Sequence, residues 1–167
     1  MTKIYTIGYG GRSSGDFVAL LRRYDIALLV DVRSQPYSKF NPDFTRSALT
    51  RILRDAGIDY VFLGEALGGR PSDEDCFVDG LLNAERCEER AWYRQGIRRL
   101  KSLAAQRRSA IMCSEKDPAH CHRSYTIGVT LQKDASCAVL HIDKSGALKD
   151  QAALQAEAKP RQLDMLF

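Results

Sequence analysis

The chain has no apolar run approaching the roughly 20 residues that cross a bilayer. Its opening Met-Thr-Lys-Ile-Tyr-Thr-Ile-Gly lacks the basic-then-apolar layout of a secretory signal. A cytoplasmic protein with no membrane contact is therefore expected. Cysteine is sparse and odd in number, at Cys76, Cys87, Cys113, Cys121 and Cys137, and Cys137 lies in an apolar run where a buried thiol is the ordinary role, so a disulfide framework is not expected. Strong charge is also missing. A net charge of +4 permits an anionic partner without demanding one, because dedicated nucleic-acid binders carry a denser basic patch. There is no internal repeat, and no low-complexity tract beyond an alanine bias near the end. With 167 residues, 44% of them hydrophobic and 28% charged, the chain suits one globular domain rather than two.

What is present is an alternation of strand and helix. Residues 3–7 are β-branched and aromatic and stop at Gly8-Tyr9-Gly10-Gly11, which reads as a strand and a turn. Ser13 and Asp16 then form a capping box for a helix carrying Phe17, Leu20, Leu21 and Tyr24 at helical spacing. Ala27-Leu28-Leu29-Val30, ending in Asp31-Val32-Arg33, has the continuous apolar character of a parallel strand buried on both faces. A helix around Leu49–Ala56, closed by Gly57, and a strand over 59–63 follow. The stretch 64–89 reads as a long functional loop with a short helix. A third helix carrying Ile97, Leu100 and Leu103, a strand over 109–113, a helix over 121–131 and a strand over 137–142 complete the pattern. The expected fold is α/β, a single doubly wound, mostly parallel five-stranded sheet with helices on both faces. Residues 1–142 form this domain, 143–161 a polar linker, and 162–167 a C-terminal docking peptide.

In open parallel sheets, ligands bind beyond the carboxyl ends of the strands. Thr6, Gly8 and Tyr9 lie at the end of the first strand, Asp31 and Arg33 at the end of the second, and Cys113, Ser114 and Glu115 at the end of the fourth. Cys121, His122 and Arg123 follow at the start of a helix. Asp31, Cys113, Glu115 and His122 are the candidate catalytic groups: Glu115 or Asp31 as general acid or base, Cys113 as nucleophile. Thr6, Gly8, Tyr9, Arg33, Ser114 and Arg123 are candidate ligand-binding groups, with Arg123 and main-chain amides suited to a phosphate or carboxylate. Some have an ordinary structural alternative: an ion pair of Asp31 with Arg33 bracing the next loop, and buried thiols at Cys113 and Cys121. Cys113, Cys121 and His122 are also possible zinc ligands. The paired C-x-x-C of structural zinc sites is absent, however, and adjacent residues on one helix point about 100° apart, so no metal or other cofactor is assigned.

Two resemblances bear on the domain. The strand ending Leu-Val-Asp-Val-Arg and a later strand ending in Cys resemble rhodanese-type sulfurtransferases and their phosphatase relatives, in which a loop of about five residues wraps the anion. Here nine residues, including Pro118, separate Cys113 from Arg123, so the cradle does not transfer. A wider match runs from residue 1 to about 142. It comprises Thr-Ile-Gly-Tyr-Gly, Leu-Val-Asp-Val-Arg-Ser-Gln-Pro-Tyr-Ser, Pro-Asp-Phe, Gly-Ile-Asp-Tyr, Leu-Gly-Gly and Cys-Ser-Glu-Lys-Asp-Pro-Ala-His-Cys-His-Arg. This ordered set resembles the family known as domain of unknown function 488. The resemblance implies the α/β fold and the grouping of Asp31, Arg33, Cys113, Glu115, Cys121, His122 and Arg123, and no reaction.

The last six residues, Gln162, Leu163, Asp164, Met165, Leu166 and Phe167, resemble the bacterial sliding-clamp-binding peptide in its longer form. The resemblance implies a partner, the bacterial sliding clamp. Three functions compete. The first is an enzyme or sensor acting on DNA or a phosphate-bearing nucleotide and brought to the clamp by its tail. The second is a rhodanese-like sulfur-transfer protein using Cys113, and the third a non-catalytic clamp-binding adaptor.

Overall fold

The computed structural model describes the backbone of residues 1–164 and the side chains of residues 1–157. Its frame is a six-stranded mixed sheet of β1 (Thr2–Gly8), β2 (Leu28–Asp31), β3 (Asp59–Phe62), β6 (Ser109–Cys113), β7 (Cys137–Ile142) and β8 (Leu148–Asp150). The order is β3-β2-β6-β1-β7-β8, and only the β7–β8 pairing is antiparallel. A separate two-stranded hairpin is made by β4 (Phe77–Val78) and β5 (Leu81–Leu82).

The period-two alternation of the central strands builds two cores. Ile4, Leu28, Val30 and Ile111 face one of them, whereas Tyr5, Ile7, Leu29, Ala110 and Met112 face the other. Helices α1 (Ser14–Arg23) and α2 (Arg46–Asp55) cover the second core with Phe17, Leu21, Leu49 and Leu53. The first core is closed by α3 (Gly64–Leu67), α4 (Ala84–Glu88), α5 (Ala91–Gln106) and the segment that follows β6. The capping box is real in its first half: the Ser13 hydroxyl accepts the Asp16 N–H at 3.0 Å.

This layout makes β6 the switch point. The chain leaving β1 and β2 turns to α1 and α2 on one face, while the chain leaving β6, which lies between them, turns to Ile127 and Leu131 on the other. The diverging connections open a crevice above the carboxyl ends of β1, β2 and β6.

Three expectations need correction. The sheet has six strands rather than five, because β8 pairs with β7. Residues 143–161, expected as a linker, hold β8 and most of α7 (Gln151–Asp164). Asp143 is the turn that joins β7 to β8, its carboxylate accepting bonds from Ser145 N–H, Ser145 Oγ–H and Ala147 N–H, with Gly146 at φ 87°. Those polar residues are turn chemistry, and composition alone does not separate a tight turn from a tether. Finally, the helix after β6 does not begin at Cys121. Cys121 is extended (φ −127°, ψ 145°), Arg123–Gly128 is a π-helical segment, and α6 is only Val129–Gln132.

Of the docking peptide, Gln162, Leu163 and Asp164 fall in the last turn of α7. Met165, Leu166 and Phe167 lie outside the described residues. No described helix is long and apolar enough to cross a membrane.

Candidate functional site

The crevice is a cleft of about 520 Å³, within the usual range of small-molecule sites. Tyr9 enters it after β1. Arg33, Ser34, Gln35 and Tyr37 enter after β2, Gly69 and Arg70 after α3, and Cys113, Ser114 and Glu115 at the end of β6. His120, Cys121, His122 and Tyr125 complete the wall.

Asp31 and Arg33 do not offer free charges to this space. Asp31 is fully buried and does not line the cleft; its carboxylate accepts the Arg33 backbone N–H at 3.1 Å, Arg33 Nε at 3.0 Å, Arg33 Nη2 at 2.8 Å and the Tyr60 hydroxyl at 2.6 Å. Four donors fill its lone pairs, so it has no capacity left to act as a base. Burial, and then the bond to Asp31, raise the Tyr60 phenol well above its ordinary range. Arg33 uses its remaining Nη1 on the Phe44 carbonyl at 2.7 Å and stacks above Tyr9, which itself lies flat on Phe44 at 4.3 Å. The ordinary alternative, an ion pair bracing the loop after β2, is what the structure holds.

Arg123 is likewise structural. It has no solvent exposure; Nε donates to Thr6 Oγ1 at 3.2 Å, Nη1 to the Glu115 carbonyl at 2.5 Å and Nη2 to the Lys116 carbonyl at 3.4 Å. A role in gripping an incoming phosphate is therefore corrected to one of fixing the chain after β6 from beneath. Thr6 passes the chain of bonds on. Its hydroxyl meets His141 Nδ1 at 2.7 Å, His141 Nε2 meets Gln151 Oε1 at 2.6 Å, and Gln151 Nε2 donates to the Ser124 carbonyl at 3.0 Å. Every one of these side chains is buried, and burial holds the imidazole of His141 down to about 4. Thr6 thus belongs to a sealed network rather than to the cleft. Gly8 is also structural: a Cβ there would sit 1.8 Å from the Glu115 carbonyl oxygen, so only glycine lets the chain after β6 pass so close to β1.

The floor of the cleft is different in kind. Sγ of Cys113 lies 3.7 Å and Sγ of Cys121 3.6 Å from Nδ1 of His122, whose Nε2 is 3.0 Å from the Val32 carbonyl. A carbonyl only accepts, so Nε2 donates its proton there, and Nδ1 is the ring atom left facing both sulfurs. The extended backbone at Cys121 permits this: the 100° divergence of successive helical residues, expected from the sequence, does not apply there. A hydrogen bond from the Cys121 thiol lowers the proton affinity of Cys113 against the opposing effect of burial, helped by His122 and the Glu115 N–H. The same bond, together with burial, raises Cys121.

Ser114 and Glu115 are exposed on the cleft wall, and the Glu115 carboxylate takes one bond, from the Asp117 N–H at 3.0 Å. Of the catalytic and ligand-binding residues named from sequence, the cleft therefore gathers Tyr9, Arg33, Cys113, Ser114, Glu115 and His122, and excludes Thr6, Gly8, Asp31 and Arg123. Sequence reasoning missed Tyr37, Gly69, Arg70 and Tyr125. Tyr37 is 64% and Tyr125 37% exposed, unusual for rings in a chain with a formed core. Gly69 had a signal, the Gly68-Gly69 pair in an irregular stretch. A Cβ at Gly69 would stand 2.9 Å from Nδ1 of His122, so its hydrogen is what lets the ring lie where it does.

No curated protein and no solved structure matches the chain. Residues 13–129, more than half of the chain and the stretch that supplies nearly all of the cleft, match the family described as domain of unknown function DUF488, and the chain belongs to that family.

Proposed function

We propose that this protein is an enzyme that takes a phosphate-bearing nucleotide or a short stretch of single-stranded DNA into the strand-end cleft, with Cys113, Cys121 and His122 as its reacting centre. The observation that carries the reading is the pairing of chemistries in one cavity: two exposed tyrosines, Tyr37 and Tyr125, and the guanidinium of Arg70 around a floor of two thiols and an imidazole. Aromatic faces hold bases by stacking whatever their sequence, and a guanidinium grips phosphate oxygens. Glu115, on the same wall, is the available general acid or base. Arg70 takes over the anion-binding part that the sequence suggested for Arg123. Fluorescence titration with deoxynucleoside mono- and triphosphates and with short single-stranded DNA tests this. Replacing Arg70 or Tyr37 by Ala should weaken binding, by about 1–3 kcal/mol per lost stacking base for Tyr37. Absence of binding by every probe sinks the reading.

The tail reading belongs to the same proposal. Residues 162–167 dock on the bacterial sliding clamp and bring the cleft to DNA, supported by the match of Gln162, Leu163 and Asp164 and by the apolar Met165, Leu166 and Phe167. Since 162–164 close α7, extended docking requires that turn to unwind, which keeps affinity modest. Gel filtration with purified clamp, using the full chain and a chain with Gln162, Leu166 and Phe167 changed to Ala, decides it. Equal behaviour of the two removes the clamp from the proposal.

A second reading is favoured by one observation, the lowered proton affinity of Cys113. A thiolate at the end of the central strand can attack the outer sulfur of thiosulfate, release sulfite and hold the transferred sulfur as a persulfide. Mass spectrometry of Cys113 after thiosulfate treatment would show the added sulfur. No addition excludes this rival.

A further inference from the structure

We propose that Cys113, Cys121 and His122 form a zinc site with three protein ligands and a fourth position open to the cleft. Their three donor atoms all lie within 4.8 Å of one another. In a tetrahedral site with Zn–S of about 2.3 Å and Zn–N of about 2.0–2.1 Å, sulfur and nitrogen ligands stand about 3.6 Å apart. The two sulfur-to-Nδ1 separations here are 3.7 and 3.6 Å. These distances suit a shared ion.

Independent features of the surroundings agree with the spacing. Metal-bound histidines donate their other ring N–H to a carbonyl or carboxylate, which fixes tautomer and orientation; here Nε2 meets the Val32 carbonyl at 3.0 Å. Gly69 backs the ring so closely that a Cβ would come within 2.9 Å of Nδ1, which makes it a positioning residue for the ligand. Both cysteines and His122 are buried, which protects thiolates from oxidation, yet all three line the cleft wall. Two thiolates balance the charge of Zn²⁺, so the filled site adds no net charge to the interior.

Among the described residues no fourth Cys, His, Asp or Glu joins the group. A three-ligand zinc retains a position for water or substrate, the arrangement of catalytic rather than structural sites. The inference rests on the reading of this cluster as the reacting centre. Its test measures metal alone, so its failure is separable from a failure of nucleotide binding.

Full-length protein, kept reduced and freed of metal by a chelator, is titrated with Co²⁺. The expected result is one cobalt per chain, with the intense visible bands of tetrahedral cobalt and a near-ultraviolet thiolate-to-cobalt band, both abolished by added Zn²⁺. Cys121→Ser and His122→Ala should each weaken uptake by tenfold or more, and Gly69→Ala by about 10–100-fold with a shifted visible spectrum. Circular dichroism identifies any variant that does not fold, and the native chain's spectrum stands without the variants. A folded, reduced native chain that takes up no cobalt, or takes it up without the thiolate band, overturns the proposal. Uptake that folded Cys121→Ser and His122→Ala both leave unchanged does so too.

Discussion

Two buried polar regions adjoin in this protein through the consecutive residues His122 and Arg123. In one, Arg123, Thr6, His141 and Gln151 form an unbroken chain of hydrogen bonds among buried side chains. In the other, Cys113, Cys121 and His122 meet through sulfur contacts on the wall of a cleft. The first arrangement is closed off from solvent, and the second faces a cavity. A satisfied network is how a fold holds a loop rigid, whereas an under-partnered cluster on a cavity wall is where external chemistry can be completed. One consequence is that stability and function should separate cleanly between the two regions.

The largest separation is expected at Arg123. Changing it to Met leaves the Glu115 and Lys116 carbonyls and Thr6 without their donor inside the protein, at about 1–3 kcal/mol for each unsatisfied group, so a loss of roughly 3–5 kcal/mol is expected in urea unfolding. A loss below about 1 kcal/mol would mean that the network does not hold the loop. The next effect is on pH. His141 is held down to about 4 in the folded chain, against about 6.5 when unfolded. Between these values the unfolded chain binds more protons, so stability is full above pH 6.5 and falls as pH drops toward 4, by roughly 3 kcal/mol in all. Denaturation midpoints at a series of pH values check this, and His141→Gln should flatten the slope; a slope of opposite sign contradicts the assignment.

The cleft floor should behave in the opposite way. In metal-free protein, Cys113 should react with iodoacetamide at about pH 6 faster than the partly exposed Cys137, and Cys121 only in alkali, as read by peptide mass spectrometry. Cys121 reacting first would invert the assignment of the two thiols. The smallest effect is expected at Tyr37. An exposed ring changed to Ala should alter stability by no more than about 0.5 kcal/mol while binding falls, so equal damage to both would place Tyr37 with the supporting network instead.

The contrast also explains what the sequence could tell. β1, β2, β6 and β7 are legible because each is rich in β-branched, aliphatic or aromatic residues between turn signals, a trace that central strands leave whatever lies around them. The turn at Asp143–Gly146 and the start of α7 at Gln151 carry polar residues for geometric reasons, and so resembled a tether. At the site, residue type was legible and direction was not. Arg123 and Cys121 are two positions apart, yet one points beneath the loop and the other into the cleft, because the chain is extended at Cys121 and π-helical from Arg123 onward. Helical periodicity applied to that stretch gives the wrong facing for both. Tyr37 and Arg70 were missed because solvent-facing residues in irregular segments leave no periodic signal at all.

Arg123 carries its charge with no solvent exposure, and the groups that receive its hydrogen bonds are all neutral. The same charge opposes the rise of Cys121 and helps to lower Arg12 and His141. A cation in low dielectric with no carboxylate beside it projects a positive potential through the loop it supports, toward the cleft. Mobile ions cannot approach to cancel it, since screening acts on charges that solvent reaches. If the cleft binds an anion as proposed, that binding should persist in concentrated salt better than attraction by the surface lysines and arginines, which salt screens away.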